Sequence, residues 1–398
     1  MDDSLSGFFL KMNQNKRIKH LLVCCGGYPT KENPVFPFVE QIVNEFARNG
    51  IRVSVVAPQS LTKHFFRKEP LHPRYRLINR KNFSPVEIFQ PYTVSFGRHF
   101  VLLNRVLKKI SLHSVLRKIE KPDVCYGHFW YYASALYDFA KKNKIPLFVA
   151  SGEASIKTEA HFSAYEKKNF LDYYKGVFFA STKNKKESED LGFLTNQKNI
   201  VIPNAIDPSS FYLMDKQKLR EKYSISQNFF IVVFVGSFIQ RKGPNRVASA
   251  LKKINDSNIK AFFIGREHDG VKLDFDYEGT ILKGVVEHDK LVDYLNMADV
   301  FVLPTLAEGC CNAMIEALAC GLPIISSDLS FNDDVLDDSC SIRINPESID
   351  ELAEAIKTLS NNPFLCKEMG KNALKKASSL TIEKRANTIV HFMESLLR

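Results

Sequence analysis

The chain has 398 residues, of which 45% are hydrophobic and 25% are charged, a composition that fits a globular protein and excludes a disordered or fibrous one. This length is enough for about two domains, each with a core of its own. No apolar run reaches the ~18 residues of a membrane-spanning helix, and the N-terminal segment MDDSLSGFFLKMNQNKRIKH lacks the core of a secretory signal. The eight cysteines show no zinc-ligand spacing, which favours reduced thiols in a cytosolic protein.

The formal net charge of +11 is concentrated in the first half of the chain. Residues 1–200 contain 32 Lys and Arg against 17 Asp and Glu, whereas residues 201–398 contain 23 against 27. This asymmetry predicts a polyanionic partner for the first half, and an anionic membrane surface and a nucleic acid both qualify. A solvated basic surface with no partner is the alternative.

The first half alternates strand patterns with helix patterns. Apolar residues recur at helical spacing from Phe38 to Phe46, and Asn49-Gly50 ends that pattern. Strands are predicted before and after this helix, at HLLVCC, IRVSVVAP, DVCYG, PLFVAS and GVFFAS. This alternation is typical of a parallel sheet covered by helices on both faces.

Residues 60–121 interrupt the alternation and are rich in basic and aromatic residues. Within them, HFVLLNRVLKKISLHSVLRKIEK predicts a basic amphipathic helix. Its apolar positions form one stripe, made of Leu103, Val106, Leu107 and Ile110. Its cations lie off this stripe, at Arg105, Lys108 and Lys109. Such a helix either lies in a membrane interface or packs its apolar face on the sheet, and the pattern does not separate the two.

The alternation starts again after a turn-rich joint, VIPNAIDPSSF. Further strands are predicted at NFFIVVFVG, IKAFFIG, TILKGVV, ADVFVLPT and LPIISSD, and the tail TIEKRANTIVHFMESLLR predicts a final amphipathic helix. The sequence therefore predicts an α/β protein with two doubly wound domains and a cleft between them. The predicted domains are residues 1–203 and 204–380, and the final helix occupies residues 381–398.

A loop and a short helix, AEGCCNAMIEALACGLP, follow the predicted strand FVLPT. Ligands of an open parallel sheet bind beyond the carboxyl ends of its strands, so Glu308 is expected at the binding edge. The helix is expected to begin at the capping residue Asn312, and the free N–H groups of Cys311, Asn312 and Ala313 suit a diphosphate. Glu316, one turn further, can accept two hydroxyl groups of a ribose. The alternative is that Glu308 lies in a solvated loop and Glu316 on an exposed helix face.

A second strand-loop-helix unit is predicted at FIVVFVGSFIQRKGPNRVASAL. The backbone at Gly236 and Ser237 can approach a ligand closely, because glycine has no Cβ. Arg241 and Lys242 supply fixed positive charge for a departing diphosphate. A basic surface turn is the alternative interpretation.

These motifs resemble those of the family-4 retaining nucleotide-sugar glycosyltransferases, which have the GT-B fold. EGCCNAMIEALACGLPIISS is similar to their E-x7-E region, and VGSFIQRKG is similar to their Gly-rich loop and Arg-Lys-Gly signature. The run LKGVVEHDKLVDYLNMADVFVLPTLAEG and the joint VIPNAIDPSSF also resemble the family, and the N-terminal stretch GGYPTKENPVFPFVEQIVNEFARNGIRVSVVAP does so more weakly. The resemblance implies two Rossmann-like domains, the first for the acceptor and the second for the nucleotide sugar, with the C-terminal helix crossing back to the first.

The resemblance also implies roles for single residues. Glu308 would stabilise charge near the anomeric carbon of the donor sugar, and Glu316 would hold the ribose. Arg241 and Lys242 would bind the diphosphate together with the amides of the short helix.

For the base and the acceptor, the resemblance implies a further set of contacts. The backbone near Gly284, Val285 and Val286 would receive the base, and Arg266 would cover it. The residues expected to face the acceptor or the donor phosphates from the first domain are Gly26, Gly27, His128 and Glu153.

Two positions depart from the family pattern. Ser237 stands where many members have Arg, so Arg241 and Lys242 must carry more of the charge. Ser151-Gly152-Glu153 stands where many members have a His that faces the reacting sugar. Glu153 would replace that His as a polar contact, and His128 is the other candidate, although a histidine in such a place is more often structural.

The predicted function is transfer of a sugar, with retention of configuration and without a metal ion, from a nucleotide sugar to a saccharide or lipid-linked acceptor. UDP is the default nucleotide, and the product is expected to be a cell-surface polysaccharide or a glycolipid. The basic first half would hold the protein on the inner face of the cytoplasmic membrane, and no nucleic acid is expected as a partner. The alternatives are a nucleotide-sugar epimerase and a non-catalytic subunit that binds a nucleotide sugar.

Overall fold

The structure, a computed structural model, describes residues 17–30, 36–96, 100–157, 162–267 and 273–397. Most of the N-terminal segment, residues 31–35 of the N-terminal motif and His99 of the predicted basic helix lie outside the described residues. The chain forms two compact units. The N-terminal unit comprises the chain to Ala180, residues 184–202 and the chain from Glu383, and the C-terminal unit comprises Ser181–Lys183 and Pro203–Ile382.

The N-terminal unit is built on strands that are predominantly buried. They are β1 (His20–Cys24), β2 (Arg52–Val56), β3 (Gln59–Ser60), β4 (Tyr75–Ile78), β5 (Val86–Phe89), β6 (Tyr92–Thr93), β7 (Val124–His128), β8 (Leu147–Ser151), β9 (Gly176–Phe179) and β10 (Lys198–Val201). The helices between them are α1 (Pro37–Arg48), α2 (Leu61–Arg67), α3 (Val101–Leu116), α4 (Trp130–Asn143), α5 (Ala164–Leu171) and α6 (Thr182–Asp190).

Eight of these strands form one sheet in the order β10-β9-β8-β7-β1-β2-β5-β4, in which only the β4–β5 pair is antiparallel. The first three strands in chain order that enter the parallel part, β1, β2 and β5, extend the sheet to one side. Strand β7 then returns to the other side of β1. The order therefore reverses between β1 and β7, and ligands of such sheets bind at this reversal.

The C-terminal unit has a sheet of six parallel strands: β11 (Phe230–Val235), β12 (Ile259–Ile264), β13 (Thr280–Gly284), β14 (Val300–Leu303), β15 (Ile324–Ser327) and β16 (Ser341–Ile344). Its helices are α7 (Lys216–Lys222), α8 (Pro244–Ile254), α9 (Leu291–Met297), α10 (Asn312–Ala319), α11 (Ile349–Ser360) and α12 (Pro363–Ala377), with a 3₁₀ turn at Ser330–Asn332. The strand order is β13-β12-β11-β14-β15-β16, the doubly wound order of dinucleotide-binding folds, and it reverses between β11 and β14.

The last helix, α13 (Ile382–Ser395), packs on the sheet of the N-terminal unit. The ring of Phe392 contacts Phe178 and Phe148, with ring centroids 5.5 and 6.5 Å apart. Near its end, Glu394 accepts a hydrogen bond of 2.9 Å from the amide of Ile18, just before β1. Aromatic burial and this hydrogen bond attach the end of the chain to its beginning.

The predicted fold class, α/β with two doubly wound sheets, is confirmed. The ten strands predicted from apolar runs all lie in these two sheets, whereas β3, β4, β5, β6, β10 and β16 were not predicted. Among the described residues, no helix is long and apolar enough to cross a bilayer.

Two glycines bring the ends of β11 and β12 together. The amide of Gly236 donates to the carbonyl of Ile264, and the residue after it, Gly265, lies so close that a Cβ there would be 1.9 Å from the carbonyl oxygen of Gly236. A side chain at Gly265 would thus push the two strand ends apart. At Gly236 an added Cβ would meet its nearest neighbour, the ring of Phe234, at an ordinary 3.5 Å.

We therefore expect Gly265→Ala to lower the free energy of unfolding of the protein by about 1–3 kcal/mol, because the new methyl group overlaps fixed backbone. Urea denaturation followed by circular dichroism measures this change. The matched control is Gly236→Ala, which should change stability much less. Equal stability losses in the two variants would contradict the steric explanation.

Candidate functional site

The candidate site lies at the carboxyl ends of β11 and β14, where the strand order of the C-terminal unit reverses. The loop after β11 carries Arg241 and Lys242, and the loop after β14 carries Glu308. The two loops are tied to each other, since the amide of Leu306 donates to the carbonyl of Arg241 at 2.9 Å. Residues that are far apart in the sequence are thus brought to one sheet edge.

Glu308 is the centre of this site. One of its oxygens, Oε1, accepts from Arg241 Nη1 at 2.8 Å and from Thr305 Oγ1 at 2.9 Å, and lies 2.5 Å from Lys242 Nζ. Glu308 is only 8% exposed, so the solvated-loop interpretation is wrong. Because two cations share one carboxylate, the cluster has a surplus of positive charge. The structure therefore assembles all three predicted catalytic residues.

Helix α10 begins beside this cluster, but Asn312 does not cap it. Asn312 is the first helical residue, and the capping position belongs to Cys311, whose side chain makes no capping hydrogen bond. The side chain of Asn312 instead accepts from Asn204 Nδ2 at 2.8 Å, and the same group of Asn204 donates to the carbonyl of Cys310. The predicted cap is therefore wrong by one residue, while the predicted amides of Cys311, Asn312 and Ala313 do lie at the start of the helix.

The thiol of Cys311 shows that the charged groups surround this helix end. Burial raises the pKa of the thiol to about 11, Lys242 opposes this rise, and Glu308 and Glu316 add to it. Lys242 and both carboxylates are thus close enough to act on the residue that precedes the helix. Within the described ranges, no cluster of three His, Cys, Asp or Glu has the arrangement of a metal site.

Glu316 lies on α10 with its side chain 13% exposed, so the exposed-face interpretation is wrong here too. Burial raises the pKa of its carboxyl to about 7. His288, whose Nε2 lies 3.9 Å from Glu316 Oε1, has a pKa lowered by burial. A half-neutral carboxyl at physiological pH is suited to hydrogen bonding with hydroxyl groups.

The residues expected near the base lie at the ends of β12 and β13. The amide of Gly265 donates to the carbonyl of Gly284, and Val285 follows with 71% of its surface exposed. The side chain of Arg266 is exposed, and its carbonyl accepts from the amide of Phe238 in the loop after β11. These groups line the same carboxyl edge as the charged cluster, one and two strands away from it.

Sequence analysis missed two polar residues of the site. Thr305 donates its hydroxyl to Glu308, and Asn204 supports the start of α10. The position of Thr305 directly after a buried strand was a usable signal. Asn204 gave none, because its partners lie more than a hundred residues further along the chain.

In the N-terminal unit, Gly26, Gly27 and His128 lie at the corresponding reversal, after β1 and at the end of β7. A Cβ on Gly26 would lie 2.8 Å from the hydroxyl of Tyr132, so a larger residue there would require the tyrosine side chain to move. His128 is buried among the rings of Phe38, Tyr126 and Phe129, and burial lowers its pKa to about 3. It is therefore neutral, as expected of a structural histidine.

Glu153 is already engaged by donors of its own unit. Oε1 accepts from the amide of Trp130, the first residue of α4, and Oε2 accepts from Ser151 Oγ and from the amide of Gly152, all at 2.8–2.9 Å. Burial raises the pKa of Glu153, and these hydrogen bonds oppose the rise. The geometry thus makes Glu153 the cap of α4, and its contact with the acceptor side stays a prediction.

The first half of helix α3 differs from an ordinary surface helix, because its apolar side chains face outward and its basic side chains face the protein. Its apolar residues Leu102, Leu103, Val106 and Ile110 are exposed, together with the neighbouring Phe96 and Phe100. We call these six residues the apolar face. Phe65 and Phe66 of α2 are also exposed, and α2 is attached to the same region because Thr62 and Ser95 share a hydrogen bond.

The cations of α3 point towards the protein. Arg105 makes a bidentate pair with Glu166 at 3.0–3.1 Å, and Lys109 pairs with Asp138 at 2.7 Å. Lys108 Nζ lies 4.5 and 4.8 Å from the ring centroids of Tyr131 and Tyr132, and burial lowers its pKa to about 8. The interpretation that α3 packs its predicted apolar stripe on the sheet is therefore wrong for the first half of the helix.

Comparison with known proteins connects the C-terminal unit to a family. Residues 215–376 match the family model of glycosyl transferases group 1. The chain is 26% identical over 343 residues to a putative teichuronic acid biosynthesis glycosyltransferase of Bacillus subtilis, covering 83% of this chain and 86% of that protein. It is also 26% identical over 324 residues to a UDP-Gal:alpha-D-GlcNAc-diphosphoundecaprenol alpha-1,3-galactosyltransferase of Escherichia coli, covering 73% of this chain and 80% of that one.

A third relative and two solved structures extend the comparison. Alpha-galactosylglucosyldiacylglycerol synthase of Streptococcus pneumoniae is 26% identical over 291 residues, with 68% of this chain and 77% of that protein covered. Sucrose-phosphate synthase from Thermosynechococcus elongatus superposes with a TM-score of 0.76, at 16% identity, over 95% of this chain and 99% of that one. Anabaena HepE in complex with UDP-glucose gives 0.69, also at 16% identity, over 96% and 100%. These likenesses confirm the GT-B fold.

The raised pKa of Glu316 predicts a pH dependence of stability. Its carboxyl ionises near 4.5 ordinarily and near 7 in the fold, so the folded state holds more protons between these values. Stability should therefore fall as pH rises through this window, by roughly 2–3 kcal/mol at pH 8 relative to pH 4.5. Glu316→Gln, which cannot ionise, should remove this part of the pH dependence.

Urea denaturation of the ligand-free protein between pH 4.5 and 8.5 measures the effect. Because Nε2 of His288 lies 3.9 Å from Oε1 of Glu316, both proteins are compared in a His288→Gln background, which removes the titration of this histidine. The control is Glu354→Gln, at an exposed position on α11, which should leave the pH profile unchanged. A Glu316→Gln profile parallel to that of the unsubstituted protein would show that Glu316 ionises normally.

Proposed function

We propose that the chain is a glycosyltransferase that uses a nucleotide sugar, because residues 215–376 match the family model of glycosyl transferases group 1. The donor is a UDP-sugar, transfer retains the configuration of the anomeric carbon, and the acceptor is a saccharide or a lipid-linked saccharide. The observation that carries this proposal is the cluster of Glu308, Arg241 and Lys242 beside the start of α10.

The cluster fits a diphosphate leaving group. Arg241 is 37% and Lys242 14% exposed at the side chain, so both cations can reach a ligand while they remain near Glu308. The N–H groups at the start of α10 have no side-chain cap and attract an anion through the helix dipole. Each fixed donor of this kind contributes about 3–4 kcal/mol to transition-state stabilisation.

The reaction then follows from charge separation. The bond between the anomeric carbon and the diphosphate oxygen breaks, and the diphosphate keeps the electron pair. The acceptor oxygen forms the new bond on the same face, and its proton passes to the departing diphosphate. Glu308 stabilises the positive charge that develops on the sugar, while Arg241, Lys242 and the helix amides stabilise the negative charge, so the transfer needs no divalent ion.

The rest of the nucleotide fits the same edge. Glu316 accepts the two ribose hydroxyl groups, and the backbone at Gly284 and Val285 faces the base, with Arg266 nearby. Anabaena HepE, a structural neighbour, has been solved in complex with UDP and with UDP-glucose, which supports uridine as the base. Gly26 and Gly27 leave room at the carboxyl edge of the N-terminal unit for the acceptor.

The relatives support an acceptor in polysaccharide or glycolipid synthesis. Their names include teichuronic acid biosynthesis, a diphosphoundecaprenol-linked sugar and a diacylglycerol glycolipid. A lipid-linked acceptor lies at a membrane surface, so the protein must reach that surface. We assign this contact to the apolar face of α3, with the surrounding basic residues attracted to anionic lipid.

The reaction is tested by incubating the protein with a panel of nucleotide sugars and measuring release of the nucleoside diphosphate, with water as acceptor where none is known. UDP-sugars should be turned over, and EDTA should not lower the rate. Lys242→Ala should lower kcat by about 10²–10³-fold, because a fixed charge at the leaving group is lost. The control is Lys253→Ala, at an exposed position of α8 that pairs with Asp350.

Two results would count against the proposal. Lys242→Ala with the turnover of the control would reject the role of Lys242. UDP binding without turnover of any donor would favour the non-catalytic subunit.

The membrane contact is tested by sedimentation with vesicles. Ile110→Asp should lower the fraction bound to anionic vesicles by about tenfold or more, because a buried isoleucine contributes about 1.5–3 kcal/mol. Raising the salt concentration should weaken binding of the unsubstituted protein. The control is Phe364→Asp on α12, which is 75% exposed against 62% for Ile110. Equal binding of both variants, or no binding by the unsubstituted protein, would reject the membrane contact.

A further inference from the structure

Arg246 lies behind the donor site, in the first turn of α8, and is only 7% exposed. Its Nη1 donates to the carbonyl of Gln240 at 3.0 Å, and its Nη2 donates to the carbonyl of Pro304 at 2.6 Å and of Arg241 at 3.3 Å. Gln240 and Arg241 belong to the loop after β11, whereas Pro304 begins the loop after β14. One guanidinium group thus holds both loops of the site.

This arrangement is costly for the fold. Burial lowers the pKa of Arg246, and the charge of Glu347 opposes this fall only in part. A cation in the first turn also opposes the helix dipole, and Nε has no hydrogen-bond partner. A buried charge that is only partly compensated does not stabilise a protein by itself. Arg246 therefore contributes to the structure by fixing the position of the two loops.

The surrounding backbone is shaped around the guanidinium. Gly243, just before α8, has a φ of +78°, and a Cβ there would lie 2.4 Å from Nη2 of Arg246. Glycine thus permits both the left-handed turn and the close approach of the side chain. The first and last residues of the Arg-Lys-Gly signature, Arg241 and Gly243, therefore adjoin Arg246 in space, five and three positions before it in sequence.

We propose that Arg246 is a positioning residue for sugar transfer, because it fixes the distance between the loop of Arg241 and Lys242 and the loop of Glu308. This inference rests on the proposed function. The guanidinium does not touch the donor and acts only through the backbone of the two loops. Without it, Glu308 and the two cations are no longer held at a fixed distance, and transfer slows. The contacts proposed for the nucleoside, at Glu316 and the ends of β12 and β13, are kept.

The chain offers a matched control in Arg220. It is 2% exposed and donates to the carbonyls of Met297 and Phe229 and to Asp299. Phe229 and Asp299 directly precede β11 and β14, so Arg220 joins the same two strands at their amino ends. Both arginines are buried clamps of one sheet, but only Arg246 lies at the site.

The test compares Arg246→Leu and Arg246→Lys with Arg220→Leu in the full chain. We expect Arg246→Leu to lower kcat by about 10²-fold, the effect of a displacement of about 1 Å at a reacting centre, with a smaller change in the affinity for UDP. Arg246→Lys should recover part of the loss, since an ammonium can reach some of the same carbonyls. Arg220→Leu should lower the melting temperature at least as much and leave kcat unchanged below it.

A second readout does not depend on turnover. The amide of Leu306 donates to the carbonyl of Arg241, so its hydrogen exchange reports whether the two loops stay together. Exchange in the segment 304–309 should become faster in Arg246→Leu and stay unchanged in Arg220→Leu. If Arg246→Leu changes neither the hydrogen exchange nor kcat, the inference is overturned. It is also overturned if kcat falls in proportion to the melting temperature in every variant, Arg220→Leu included. If no nucleotide sugar is turned over by the unsubstituted protein, the proposed function fails, and the exchange data still decide whether Arg246 ties the loops.

Discussion

A single carboxylate oxygen organises the candidate site. Oε1 of Glu308 receives Arg241, Lys242 and Thr305, and these donors come from the two loops that flank the reversal of strand order. Two cations in a partly dehydrated place would repel each other without this anion, and the carboxylate would be unstable without them. Because two positive charges share one negative charge, the cluster still attracts a dianionic group. The same contacts that hold the loops in place therefore prepare them for a diphosphate.

The two sheets show that strand order alone does not decide what is bound. In the N-terminal unit, the helix that follows β7 begins at Trp130, and the amide of Trp130 donates a hydrogen bond to Glu153. In the C-terminal unit, the helix that follows the loop after β14 begins at Asn312 with no side-chain cap and no carboxylate bonded to its first amides among the described residues. An internal carboxylate satisfies the positive end of one helix dipole, whereas the other stays available to an anion. Side chains at the two helix starts, and not the strand order, make this difference.

Local sequence patterns predicted most strands of the two sheets and the residues of the charged cluster. The features that they did not predict depend mainly on contacts between residues far apart in the sequence. Buried central strands are continuous apolar runs, so their positions are evident from the sequence, whereas β4 and β10 are edge strands with a mixed pattern. The loops that carry Arg241, Lys242 and Glu308 follow two such strands, so the predicted strands also place these three residues. The capping error at Asn312 has a different origin, because Asn204 diverts that side chain. The role of Glu153 likewise depends on the fold bringing it to Trp130.

The net charge of residues 1–200 did not predict which side chains of the N-terminal unit face outward. A hydrophobic stripe can be found from spacing, but spacing does not say which side of the helix meets the protein, and in α3 the cations do. Arg105 and Lys109 are neutralised by Glu166 and Asp138, so attraction to a membrane at this helix depends on apolar area more than the net charge indicates. The inward cation Lys108 also contacts Tyr132, whose hydroxyl lies beside Gly26. The apolar face and the carboxyl edge of the N-terminal sheet are therefore connected through one tyrosine.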